Sequence, residues 1–93
     1  MRDRSPQEFI DDLTYGMEQT FSFRGRTYFV EGSTEPDGTW FAHMDRWAPD
    51  PEDYIWTHRA HTMAECVEAF LETPLFDGLT FWQAEGEMTS LYA

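Results

Sequence analysis

The residues best suited to chemistry lie in the second half of the chain. His58 and His61 stand three apart with Cys66 close behind, and all three are of types that bind zinc. A structural zinc site needs four ligands and a catalytic one three plus water, yet His43 is the sole further His or Cys. The spacing also straddles the end of an expected strand and the start of an expected helix, so it reads as two loop histidines and no metal. Cys66 falls on the apolar stripe of that helix, where a free thiol behaves as a small hydrophobe. With His58 or His61 it is the one conceivable nucleophile and base, and no catalytic motif surrounds it. Asp50, Glu52 and Asp53 gather carboxylates as a calcium loop does, without the central Gly and distal Glu of that loop. Neither a Walker loop nor G-x-G-x-x-G occurs. The expectation is a protein that is not an enzyme and uses no cofactor.

The acids themselves make the stronger pattern. Eighteen Asp and Glu stand against six Lys plus Arg, all six of them Arg, for a net charge of -12 and a pI near 4.3. Binding DNA, RNA or anionic lipid through a basic face is disfavoured by that balance. The natural partner is a basic protein surface, which such charge attracts and steers. A saline or GC-rich host would also produce an acidic chain without Lys. Glu65, Glu68 and Glu72 recur at three and four residues, so on a helix they form one stripe with ~4.5 to 6 Å of axial rise between neighbours. Glu8, Asp11 and Asp12 repeat the device near the start. The loop acids Asp50, Glu52 and Asp53 lie between Trp47 on one side and Tyr54 and Trp56 on the other, a mixture of charge and aromatic anchors found at protein hot spots. These acids with Trp47 and Tyr54 are the expected partner-binding residues.

Regular elements must hold those side chains in place. Ser5-Pro6-Gln7-Glu8 is a capping box with Pro at the first helical position, and Phe9, Ile10, Leu13 and Met17 follow at helical spacing, so a helix is expected over 6–15, stopped by Gly16. Phe21 and Phe23 alternate before Arg24-Gly25-Arg26 and a second apolar run over 27–30, the pattern of a hairpin. A third strand is expected over 39–47, with Trp40, Ala42 and Met44 on one side and His43 and Asp45 on a wet side. Two prolines break it at 49 and 51, and alternation over 54–59 marks a fourth strand. Thr62-Met63-Ala64-Glu65 opens a second helix over 63–72, whose apolar face is Met63, Cys66, Val67, Phe70 and Leu71. Residues 79–84 fit either a short helix or a strand, and 87–92 read as a last short strand. The sum is a single α+β domain: an antiparallel meander of about four strands with two helices on one face, in the order α-β-β-β-β-α plus a C-terminal element.

Aromatic residues make up 17% of the chain and hydrophobic residues 41%, enough to bury a core. One cysteine permits no internal disulfide and suits a reducing compartment. No apolar stretch approaches the ~20 residues that cross a bilayer, and the first six residues lack the apolar core of a signal peptide. The expectation is a cytoplasmic protein, in a bacterial host cell, that works as a monomer or homodimer without touching a membrane.

Size, extreme acidity and a layout of helices around a small meander resemble the anti-CRISPR proteins of phages and mobile elements, several of which act as DNA mimics. The resemblance spans the whole chain and rests on no motif. It implies a stoichiometric inhibitor whose acidic face occupies the basic nucleic-acid-binding surface of a CRISPR effector complex and blocks target DNA, since such surfaces hold nucleic acid largely through backbone charge. The alternative is an immunity-type or adaptor protein that binds another basic partner.

Overall fold

The computed structural model describes residues 1–91. Ser5 caps the first helix, α1 (Pro6–Thr14), by accepting the Glu8 N–H at 3.1 Å. Gly16, at φ 87°, takes the left-handed turn that ends it. Phe9, Ile10 and Leu13 are buried, whereas Met17 lies beyond the helix and is 53% exposed, because the chain has already turned before reaching it. Two strands follow, β1 (Gln19–Phe23) and β2 (Arg26–Thr34), joined through Arg24 and Gly25. Both turn residues have positive φ, 47° and 78°, which matches the right-handed twist of the strands they join.

The meander continues through β3 (Trp40–Ala48) and β4 (Glu52–Ala60), then helix α2 (Met63–Glu72), capped by Thr62. Residues 79–84 resolve as a helix, α3 (Phe81–Ala84), because Thr80 and Gln83 close a reciprocal capping box at its start. A 3-10 turn leads to β5 (Met88–Leu91), which pairs antiparallel with β1. The sheet therefore has five strands in the order β4-β3-β2-β1-β5, the four of the expected meander and the short C-terminal one. The strand expected over 87–92 includes Tyr92, which lies outside the described residues.

The helices cover one face, with α1 packed on β1 and β2 and α2 on β3 and β4. Between them and the sheet lies an aromatic core. The Phe76 ring, fully buried, meets Phe21, Phe23, Tyr28 and Phe70 with centroids 5.7 to 6.1 Å apart and planes inclined by 67° to 86°. Edge-to-face contacts of this kind add to simple area burial. The core is large for so short a chain, and it has no need of a disulfide: Cys66 is a buried free thiol.

Candidate functional site

On α2 the apolar stripe of Met63, Cys66, Val67 and Phe70 faces the core, and the helical period sends Glu65, Glu68 and Glu72 to the opposite, exposed side. Glu65 is held at the helix start, where its Oε1 accepts the Thr62 hydroxyl at 3.0 Å. Glu68 and Glu72 make no side-chain hydrogen bond, and no cation lies within 4.0 Å of any of the three among the described residues. Five of the six arginines are committed elsewhere. Arg4 pairs with Asp12, Arg24 with Asp77 and Glu87, Arg26 with Asp77, Arg46 with Glu52 and Arg59 with Glu35. The α2 carboxylates and the β4 edge enclose an open groove of about 570 Å³, lined also by Thr39, His58, His61 and Arg59, whose guanidinium pairs with Glu35.

The other two acidic groups are less free. Glu8 accepts the Ser5 hydroxyl at 3.1 Å and Asp11 the Gln7 amide at 2.9 Å, and both are exposed. Asp12, expected to be exposed, is half-buried against Arg4, so its charge is neutralised within the molecule. In the proline segment, Glu52 is 3.2 Å from the Arg46 guanidinium, which also binds the Asp50 carbonyl at 2.8 Å. Glu52 and Asp53 belong to β4 and not to a loop, whereas the Asp50 carboxylate is exposed in the turn before it.

The three aromatic residues around that segment do not act together. Trp56 packs its ring on Phe70 at 5.7 Å, on the helix side of the sheet. Trp47 and Tyr54 lie on the opposite, uncovered face, 46% and 60% exposed. Trp47 stacks on Phe29 at 4.7 Å, and Tyr54 sets its edge against the His43 ring at 4.8 Å. Strand alternation alone would put Tyr54 with Trp56. A register shift opposite Met44 and Arg46, with Tyr54 at φ 53°, turns it to the other face.

That uncovered face is not wet at its centre. His43 and Asp45 are only 9% and 8% exposed, because Phe29, Phe41, Trp47 and Tyr54 surround them. The His43 ring is held at both nitrogens, with Nδ1 3.1 Å from Asp45 and Nε2 3.1 Å from Glu31. Asp45 Oδ1 also accepts the backbone N–H of Tyr54 at 2.8 Å and so pins the bulge. Arg59 lies over the Phe41 ring at 4.5 Å while it pairs with Glu35. The sequence carried a signal for this cluster, since residues 41, 43 and 45 share one face of a strand, but the neighbours from β2 and β4 that bury it follow only from the register.

Cys66 Sγ lies 3.8 and 3.9 Å from the carbonyl oxygens of His58 and Trp40, and burial pushes the thiol above its ordinary range. A thiol so placed is a poor nucleophile. The His58 ring instead lies parallel to Trp56 at 6.2 Å. Among the described residues no three His, Cys, Asp or Glu side chains converge as metal ligands would. No helix among the described residues is long and apolar enough to cross a membrane. No protein-family model, curated protein or solved structure matches the chain.

Proposed function

We propose that this chain is a stoichiometric, non-enzymatic binding protein whose acidic surface occupies a basic, nucleic-acid-binding surface of another protein. One observation carries this reading: Glu65, Glu68 and Glu72 stand exposed in a row with no cation within 4.0 Å among the described residues, while five of the six arginines pair with other acids. Like charges at these spacings destabilise a helix by ~0.2–0.5 kcal/mol per pair. A row kept at that cost is explained by a partner that supplies the missing positive charge. Phosphates of one DNA strand follow at ~3.4 Å along the axis, so every second phosphate, at ~6.8 Å, matches each helical turn of carboxylates, ~5.4 Å, only coarsely in pitch. The resemblance to anti-CRISPR proteins names a CRISPR effector as the partner and exclusion of target DNA as the outcome.

The alternative, an immunity-type or adaptor protein for a different basic partner, draws on Trp47 and Tyr54. Exposed aromatic residues beside charge favour recognition of a shaped protein surface over imitation of a polyanion. Titration of the protein into an effector complex with labelled target DNA tests the first reading. DNA should be displaced at about one copy per site, with binding that weakens from low to high salt. Inhibition at far below one copy per site, or insensitivity to salt, would sink it.

A further inference from the structure

The sheet has two outer strands, and the chain covers one of them. Beside β5 runs the backbone of Arg2, which donates its N–H to the Met88 carbonyl at 2.8 Å and accepts that of Ser90 at 2.9 Å. At the other edge, β4 pairs with β3 alone, and no other backbone among the described residues bonds to it. The first part of β4 is protected as natural edges are: Pro51 precedes it and the bulge at Tyr54 twists it. Residues 56–60, Trp-Thr-His-Arg-Ala, pair with β3 in unbroken register and have neither proline nor bulge. Alternate residues there turn N–H and C=O groups outward, a row that accepts a further strand through main-chain hydrogen bonds.

Helix α2 decides what kind of strand fits. It packs on β3 and β4, and the groove it forms with the β4 edge has Glu65, Glu68 and Glu72 along one wall. An added strand advances ~6.6 Å for every two residues, so side chains on its helix-facing side recur about once per turn of α2. Cations at those positions would meet the unpaired carboxylates in turn. An acidic segment would be repelled, and so would a second copy of this chain at a net charge of -12.

We propose that the free edge of β4 is a strand-addition site, where an extended basic segment of the partner lies along residues 56–60 with Arg or Lys at alternate positions facing Glu65, Glu68 and Glu72. The inference rests on the reading of the chain as a binder of a basic partner, and adds the form in which that partner is held. The unpaired edge carries it; the acids select the occupant.

The test uses the full chain and a capped heptapeptide of alternating Arg and Thr, alongside the same peptide N-methylated at every backbone amide. Both peptides have equal charge, but the methylated one cannot donate main-chain hydrogen bonds. At low salt the plain peptide should bind, slow hydrogen exchange at residues 56–60, and lose at least tenfold in affinity on N-methylation. A similar loss is expected in the Glu65→Lys, Glu68→Lys, Glu72→Lys triple variant. Equal binding of the two peptides, or protection of some other segment, would overturn the strand-addition site and leave the acidic binder standing. If neither peptide binds at low salt, both readings fall.

Discussion

Replacing Glu72 by Lys should make the protein more stable and a worse binder. Glu72 is exposed in the last turn of α2, a helix with no basic residue there to complement its C-terminal dipole. Its nearest helical neighbour of like charge is Glu68, four residues earlier, and neither has a cation within 4.0 Å among the described residues. The substitution relieves one like-charge pair and creates a Glu68-to-Lys pair in the favourable order, each worth ~0.2–0.5 kcal/mol. It also exchanges an unfavourable for a favourable charge at the helix end, at ~0.3–1 kcal/mol for each change. Taken together at their low ends, these contributions give a gain of about 1 kcal/mol. For a domain of this size that raises Tm by roughly 4–8 °C. The assay is thermal unfolding at low ionic strength and again in about 1 M NaCl, where the screening length falls to ~3 Å and most of the gain should vanish. Binding to the basic peptide, or to an effector complex, should weaken in the same variant. A Tm that is unchanged or lower at low salt would refute the claim that the stripe is under electrostatic strain. A gain that survives in 1 M salt would assign it to packing instead.

Phe76→Ala should cost ~3–5 kcal/mol in urea unfolding, since the ring is fully buried among four other aromatic rings; a loss near 1 kcal/mol would mean that the core collapses to fill the space. Asp45→Ala should cost about 2–3 kcal/mol and Asp45→Asn about half as much, because Asn keeps an oxygen for the Tyr54 N–H and Ala keeps none; equal losses would show that this hydrogen bond contributes nothing. Hydrogen bonds from Arg26 and Arg24 hold the Asp77 carboxyl below its ordinary value of 3.8, at about 2, and the Arg24 hydrogen bond also lowers Glu87. A depressed folded pKa contributes stability above the unfolded value and loses it as pH falls, so urea midpoints should drop between about pH 4 and pH 2, and less steeply in Asp77→Asn. The triple Lys variant of α2 should retain the wild-type circular dichroism spectrum, and disruption of the fold would show that those carboxylates are structural.

Periodicity and punctuation determined the two long helices and the faces they bury, but not α3 or the central place of Phe76 in the core. Ser5 and Thr62 announce both long helices, and the stripes of Phe9, Ile10 and Leu13 and of Cys66, Val67 and Phe70 place the acids outside, because a 3.6-residue period leaves each of these side chains one face to occupy. Charge was legible for the same reason: it is a sum over residues and needs no coordinates. Pairing was not. Which carboxylates keep a free charge depended on where the six arginines come to rest, and contacts such as Arg24 to Glu87, 63 residues apart, are set by the fold. The sequence pattern set Tyr54 with Trp56, and the bulge opposite Met44 and Arg46 parted them, since one residue gained or lost in a strand sends the next side chain to the other face. The burial of His43 between Asp45 and Glu31, and the contrast between a covered β5 and an open β4, come from strand order and register. Those are fixed by contacts between distant segments, and a local pattern of residues does not encode them one by one.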